Sequence, residues 1–336
     1  MRRPQGLAQP SDFALVEADL QELRDGQVLV ENLWMSVDPY MRRSMGEAAT
    51  DLEPWPLHRP LDGPSVGRVL ESRNPGFAVG DIVESLSGWQ EHFVSDGGVF
   101  VPYLSASDAL ARRSAPGAEP RDYVGLLGVA ALAAYRGVAV LARGVPGGTV
   151  VVSSGAGTVG AIGCQLAKIR GMRVVASAGT DEKVRWLTDV VGVDVAYNYR
   201  REPHAEALRR ACPGGIDVVL EGVGPEHLAA CLPLMNELGQ VLIAGMISMY
   251  SAGGKARLEN FEWVLDRYVT IQPYRFMDSL DVYDRFVDDM LRWRREGQMT
   301  VPEVVYEGIE RAPQALCSLF TGGHIGKPLV RLERTE

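Results

Sequence analysis

The chain has 336 residues, long for one compact core and comfortable for two domains, and its 46% apolar and 23% charged residues are ordinary for a globular protein. A formal net charge of −9 opposes binding to nucleic acid or to an anionic membrane surface, and no stretch is apolar for long enough to span a bilayer. Four scattered cysteines, Cys164, Cys212, Cys231 and Cys317, form no Cys-x-x-Cys pair, which argues against a structural zinc cluster or a redox dithiol and suits a reducing compartment.

The first third reads as short strands separated by turns. Strands are expected at 27–32, 65–71, 82–86 and 89–95, with the tight turn Asn74-Pro75-Gly76 feeding the third of them. Short strands punctuated by Gly and Pro predict a small β-barrel. Residues 112–122 are polar, contain Pro and Gly, and read as a linker or surface loop. A long small-residue helix is expected over 123–141, despite three internal glycines. After the Val145-Pro146-Gly147-Gly148 turn, strands and helices alternate. Strands are expected at 149–153, 173–177, 195–198, 216–220 and 240–244, and helices at 159–170, 181–190, 204–211 and 225–235. Repeated units of this kind predict a parallel sheet with helices on both faces. An amphipathic helix over 281–296 is followed by strands at 303–308 and 329–332, with a helix at 312–319 between them. This tail is expected to return to the N-terminal domain. The expected division is 1–125 with 301–336 in one domain and 126–300 in the other.

Gly155-Ala156-Gly157-Thr158-Val159-Gly160 is a complete G-x-G-x-x-G. It follows a β-branched strand, opens a helix and precedes a second strand, which is the context a dinucleotide site requires. Gly155 permits the turn, Gly157 lets a pyrophosphate approach the backbone, and Gly160 lets the helix pack closely on the strand. Thr158 and Val159 open the helix, whose free N–H groups and positive dipole end face the phosphates. The competing reading is a turn that serves packing only. The second strand ends Ala178-Gly179-Thr180 with no acid at its tip to grip a ribose 2′-hydroxyl, and Asp181 and Glu182 suit the start of the next helix. Small Gly179 with Lys183 nearby suits a 2′-phosphate, so the expected cofactor is NADPH. The alternative for Lys183 is a solvated helix-surface residue.

The five histidines, His58, His92, His204, His227 and His324, lie at no metal-ligand spacing with a Cys or with each other. This disfavours a zinc alcohol dehydrogenase. The Tyr-x-x-x-Lys helix of short-chain dehydrogenases is also missing. Each histidine reads as structural or solvated. No apolar signal-peptide core follows Met1-Arg2-Arg3-Pro4, and the expected location is the cytoplasm.

Taken together, these residues resemble the zinc-free branch of the medium-chain dehydrogenase/reductase superfamily. Within it they resemble the NADPH-dependent prostaglandin reductase, leukotriene B4 dehydrogenase and alkenal double-bond reductase group. The resemblance covers nearly the whole chain. It rests on Ser36-Val37-Asp38-Pro39-Tyr40-Met41-Arg42, the Gly155–Gly160 loop, Ala178-Gly179-Thr180-Asp181-Glu182-Lys183, Asn198-Tyr199, the stretch from Ala244 to Tyr250, and Gly326-Lys327. It implies an α/β chain with a GroES-like β-barrel domain and a Rossmann doubly wound domain, and a homodimer. It places Lys183 and Tyr199 on the 2′-phosphate, Tyr250 near the nicotinamide ribose and substrate carbonyl, and Tyr40 along the substrate cleft. For both tyrosines ordinary aromatic packing is the alternative. Members of this group usually carry Asp-Asn-Val-Gly after the fourth strand, where this chain has Glu221-Gly222-Val223-Gly224. Gly222 and Val223 remain expected cofactor contacts, without the Asn side chain. Ser251 stands where Asn commonly follows the active-site Tyr, and His324 where Asn is usual near Gly326-Lys327; His324 is an expected phosphate donor.

The implied reaction is hydride transfer to the β-carbon of an apolar α,β-unsaturated ketone or aldehyde. Trp89, Met45, Met246 and Met249 are candidate pocket residues or plain core. Quinone reduction, a biosynthetic enone reductase and a non-catalytic NADPH-binding protein are the alternatives.

Overall fold

The computed structural model describes residues 3–46, 54–98, 109–250 and 257–333; Met1, Arg2 and Ser251 lie outside the described residues. The chain forms two compact units. One comprises Met1–Gly128, Glu303–His324 and Pro328–Glu336, and the other Val129–Pro302 with Ile325–Lys327.

The first unit opens with β1 (Val28–Ser36), α1 (Tyr40–Ser44), β2 (Ser65–Ser72), β3 (Ile82–Ser85), β4 (His92–Ser95) and β5 (Ala111–Arg112). β1 runs four residues beyond the strand expected at 27–32. Its second half is buried on both faces, so no polar alternation marks it. The polar stretch 112–122 is not a free linker. It begins in β5, which pairs with β3. Arg113 then ion-pairs at 2.6 Å with the buried Glu84, and a 3₁₀ turn closes the stretch at Pro120–Tyr123.

The second unit begins with α2 (Val129–Tyr135), continued by a π-helical turn at Arg136–Leu141. The helix expected over 123–141 therefore starts six residues late. A capping box between Glu119 and the buried Asp122 opens a 3₁₀ turn at Pro120–Tyr123, and turns carry the chain from there to Val129. There follow β6 (Thr149–Val152), α3 (Thr158–Ile169), β7 (Arg173–Ala178), α4 (Asp181–Trp186), β8 (Val195–Asn198), α5 (His204–Ala211), β9 (Ile216–Glu221) and α6 (Pro225–Cys231). The unit ends with β10 (Met235–Ile243), α7 (Glu262–Asp266), β11 (Thr270–Pro273) and α8 (Tyr283–Arg295). The helix expected over 225–235 stops at Cys231, and a 3₁₀ turn follows at Leu232–Leu234, because Pro233 donates no hydrogen bond and clashes with the turn before it. β10 begins earlier than expected, with an irregular register between Met235 and Gln240.

The six strands of this unit lie in the order β11-β10-β9-β6-β7-β8, all pairs parallel. Numbered within the sheet this is the 3-2-1-4-5-6 order of a Rossmann domain, whose switch point falls between β6 and β9. Val151, Val175, Val219 and Val241 are fully buried in the sheet core, which explains the β-branched runs.

The chain then returns to the first unit with β12 (Glu303–Glu307), α9 (Ala312–Thr321) and β13 (Lys327–Arg331). The order there is β12-β13-β1-β2-β3-β5, with β4 also paired to β1. Met35, Met41, Met45, Trp55, Leu316 and Val330 form its core, with Phe13, Tyr40 and Trp89 packed against it.

Residues Ile325–Lys327 belong to the Rossmann unit although their neighbours on both sides do not. The Gly326 N–H donates to Ala156 O at 3.0 Å, and Thr158 Oγ1 donates to Gly326 O at 3.3 Å. The Lys327 N–H donates to Pro302 O at 2.8 Å. Gly326 has φ +85°, and a Cβ there would overlap Pro302 O. Substituting Gly326→Ala therefore combines backbone strain with a clash, and a loss of about 2–4 kcal/mol is expected. Gly323→Ala, where a Cβ meets nothing within 4 Å, is expected to stay within about 0.5 kcal/mol of the parent. Urea unfolding of the two variants checks this.

Candidate active site

The candidate residues gather at the C-terminal ends of the Rossmann strands, the edge at which open α/β sheets bind ligands. β6 ends at Val152, and the chain turns through Ser154 at φ +49°, a left-handed conformation costly for a side-chain-bearing residue. The Gly155 N–H donates to Ser177 O at 2.8 Å, tying the loop to β7. A Cβ on Gly155 would stand 2.8 Å from Ala176 Cβ, and one on Gly160 would overlap Ser154 O. Both glycines are therefore steric requirements of the loop. α3 starts at Thr158 with Gly157 as its N-cap, and Ala161 N–H is the first amide to find an acceptor, Gly157 O. The amides of Thr158, Val159 and Gly160 have no acceptor within the helix and carry its positive dipole end. This is a fitting cradle for a pyrophosphate.

A second cluster lies at the tips of β7 and β8. A Cβ on Gly179 would stand 2.9 Å from the Tyr199 hydroxyl and 3.4 Å from Arg200 Nε. Lys183 lies in the first turn of α4, below the Thr180 cap, whose hydroxyl accepts from Lys183 N–H at 3.3 Å. Burial lowers the Lys183 pKa from 10.5, and the Arg200 guanidinium lowers it further. Two cations thus converge beside Gly179. Of the two acids that open α4, Glu182 acts by its charge on Lys183, and Asp181 is engaged elsewhere. Asp181 accepts from Asn198 Nδ2 at 2.7 Å and ion-pairs with Arg201 at 2.6 Å. Tyr199 is 41% exposed, with the Arg200 guanidinium 6.0 Å from its ring centre. Sequence alone did not single out Arg200. It stands in the run Tyr199-Arg200-Arg201-Glu202, and only the geometry separates the arginine facing Lys183 from the one holding Asp181.

The third cluster is the turn after β9. Glu221 is fully buried, and its carboxylate folds back on its own turn. Oε1 accepts from Val223 N–H at 2.6 Å, Gly224 N–H at 2.9 Å and the Ser153 hydroxyl at 3.0 Å. Oε2 takes the His227 Nδ1 proton at 2.6 Å. The Gly222 N–H donates to Ser153 Oγ at 2.8 Å. The amides of Gly222 and Val223, expected as cofactor contacts, are therefore spent inside the turn. What Gly222 offers is space, since a Cβ there would meet nothing closer than Ser153 Oγ at 3.9 Å. Burial lowers the His227 pKa, but the neighbouring Cys231 sulfur and the Glu221 carboxylate raise it well above 6.5, and Glu221 is held below 4.5 despite burial because of His227 and the two amides.

Tyr250 lies just beyond a 3₁₀ turn at Ile247–Met249, and its hydroxyl oxygen accepts from Met246 N–H at 3.2 Å. Met246 and Met249 are both partly exposed. Tyr40 opens α1 in the other unit, half-buried against that unit's core. Met45 is buried in the same core, and Trp89 stacks on Phe13 at 5.4 Å. His324 is half-buried, two residues before Gly326. Among the described residues no group of three or more His, Cys, Asp or Glu gathers to hold a metal ion, and no helix is long and apolar enough to cross a membrane.

With this geometry in place, the comparisons with known proteins become informative. Residues 1–102 match a family described as the N-terminal domain of oxidoreductase, and residues 158–292 one described as zinc-binding dehydrogenase. The NADPH-dependent curcumin reductase of Escherichia coli is 34% identical over 98% of this chain and 94% of its own length. The chain belongs to the medium-chain dehydrogenase/reductase family. It is an oxidoreductase with a GroES-like N-terminal domain and a Rossmann domain. The NADP-dependent 2-alkenal reductase of Nicotiana tabacum is 33% identical over 91% of this chain and 88% of its own. The structure of CurA in complex with NADPH from Vibrio vulnificus superposes with a TM-score of 0.91 at 28% identity, covering 99% of this chain and 98% of that one.

The Glu221–His227 pair sets a pH dependence. A raised histidine pKa contributes stability that is fully present below 6.5 and is lost as pH rises through the folded value. A depressed glutamate contributes stability present above 4.5 and lost as pH falls through its folded value. His227→Leu leaves a buried carboxylate without its partner, at an expected cost of about 3–5 kcal/mol. The difference from the parent should be largest between those two pH values and shrink at higher pH, as followed by denaturant unfolding across pH.

Proposed function

We propose that this chain reduces the carbon–carbon double bond of an α,β-unsaturated aldehyde or ketone with NADPH. The observation that carries the reading is the pair of cations, Lys183 and Arg200, beside Gly179, with Asp181 paired to Arg201 so that the two cations outweigh Glu182. Such a site favours a 2′-phosphate over a bare ribose 2′-hydroxyl, which needs an acid to grip it. The relatives named as 2-alkenal and curcumin reductases support the substrate class.

The residues divide the work as follows. Gly155, Gly157 and Gly160 keep the loop low, and the amides of Thr158, Val159 and Gly160 hold the pyrophosphate. Lys183, Arg200 and Tyr199 hold the 2′-phosphate. Gly222 and Val223 border the cofactor through space and an apolar side chain, and His324 is a further phosphate donor. When bound, NADPH supplies a hydride to the substrate's β-carbon. Negative charge then develops on the carbonyl oxygen and needs a donor placed in advance. Tyr250 is that donor. Its oxygen accepts from Met246 N–H, which polarises the phenol and strengthens the hydrogen bond it gives. The α-carbon then takes a proton from a side chain or from water.

The test is turnover. The purified chain is mixed with NADPH and a panel of enals, enones and quinones, and absorbance of the reduced cofactor is followed. Consumption with enals and enones is expected, with the saturated carbonyl as product. Consumption with quinones alone would replace the substrate class, and binding of NADPH without turnover would make the chain a non-catalytic binder. Tyr250→Phe is expected to lower kcat by roughly 10²–10³ while leaving the NADPH Kd within a few-fold. Lys183→Ala and Arg200→Ala should each weaken NADPH by at least about tenfold and NADH little, measured by cofactor fluorescence titration.

A further inference from the structure

A row of polar side chains crosses beneath the C-terminal edge of the Rossmann sheet and links the three clusters of the candidate site. It starts at the Gly-rich loop, where Ser154 N–H donates to Ser177 Oγ at 3.3 Å. Ser177 in turn hydrogen-bonds the buried Tyr197 hydroxyl. Tyr197 Oη lies 2.8 Å from His204 Nδ1. His204 meets His227 edge to face, with ring centres 4.9 Å apart at 85°. His227 carries the row to Glu221 and so to the turn at Gly222, Val223 and Gly224.

His204 has one more neighbour. Its ring stacks on Tyr199, with centres 5.6 Å apart and planes within 23°. Tyr199 is 41% exposed, and its ring is bordered by this imidazole and by the Arg200 guanidinium 6.0 Å from its centre. The arrangement is held from two sides. Tyr197 fixes one ring nitrogen by hydrogen bond and meets the ring edge to face at 5.7 Å, and His227 fixes the ring from the opposite helix. α5 and α6 pack against each other, which brings His204 and His227 together from 23 positions apart. His227 Nε2 is buried and has no hydrogen-bond partner, so the contact with the His204 ring is the neighbour that side of the imidazole keeps.

We propose that His204 is a positioning residue for the cofactor's 2′-phosphate: it sets the ring of Tyr199 beside Gly179, Lys183 and Arg200, and the seam through His227 to Glu221 couples that pocket to the turn after β9. The inference rests on the NADPH reading above. Burial and the charge of His227 push the His204 pKa down to about 4, so its imidazole is neutral around pH 7. A neutral ring can back Tyr199 without adding a third cation to the pocket, and its Nδ1 accepts the Tyr197 proton. Phosphate selectivity then depends on the orientation of Tyr199 as well as on the two cations. A phenol held flat by a stacked ring loses little freedom on binding, whereas an unsupported one must be ordered by the ligand.

The experiment measures NADPH and NADH dissociation constants for the full chain and its variants, with kcat at saturating NADPH. His204→Ala is expected to raise the NADPH Kd by roughly tenfold, change the NADH Kd less than about twofold, and leave kcat unchanged. His204→Phe keeps a flat ring against Tyr199 and should recover NADPH affinity to within about threefold of the parent. Tyr197→Phe, which frees the imidazole without removing it, should shift the same ratio part-way. Equal loss for the two cofactors in His204→Ala, or no loss, would overturn the proposal, as would failure of the Phe variant to recover selectivity. If His204→Ala does not fold, the Phe and Tyr197 variants carry the test. A parent that shows no preference for NADPH sinks the cofactor reading itself. A parent whose preference is lost in Lys183→Ala but kept in His204→Ala sinks this inference alone.

Discussion

Glu221 carries a charge into a fully buried position at the end of β9, and the turn around it is shaped to make that tolerable. A carboxylate sealed at the end of a parallel strand needs donors for both oxygens or it abandons its charge. Here the donors are two amides of its own turn, the hydroxyl of Ser153 just beyond β6 and an imidazole from α6. Each contact pulls a different element toward the switch point of the sheet. The turn that borders the candidate site is therefore formed by charge satisfaction from below, and its backbone amides are committed before any ligand arrives.

The Gly-rich loop solves the opposite problem. There the backbone needs a ligand because packing has left donors over. Gly160 lets α3 sit against Ser154 O, and Gly163, whose Cβ would overlap a Leu220 methyl, lets the same helix sit on β9. The closeness brings the helix start within reach of the strand tips, with three amides that the helix cannot use. Self-satisfied turn and unsatisfied helix end lie on adjacent strands, β9 and β6. One fixes shape and the other supplies attraction.

Much of this was legible in the sequence. The strands at 149–153, 173–177 and 216–220 were plain because β-branched runs were followed closely by glycine. The motif stood at the correct junction, and the acid missing from the tip of β7 pointed to a phosphate. Other features left no local trace. β11 is short, only partly buried and contains Pro273, so it reads as loop until its pairing with β10 is seen. Arg200 is one of two adjacent arginines, and nothing in composition says which one faces Lys183. His204 and His227 read as ordinary histidines because their pairing depends on α5 packing against α6. The Gly222 departure read as a lost Asn side chain, and nothing local showed that the neighbouring Glu221 carboxylate folds back on its own turn.

The insertion of Ile325–Lys327 into the Rossmann unit has a consequence for how the protein is made. Gly326 closes the backbone at Ala156 and Thr158 from 168 residues downstream. A nascent chain has its complete six-stranded sheet once β11 is out, yet the Gly-rich loop still lacks its last partner. At roughly 5–20 residues per second, the ribosome leaves that loop unfinished for several seconds while β12 and α9 are synthesised. Completion of the Gly-rich loop is thus tied to synthesis of Gly326, and a chain arrested before it carries the glycine motif without the strap that braces it.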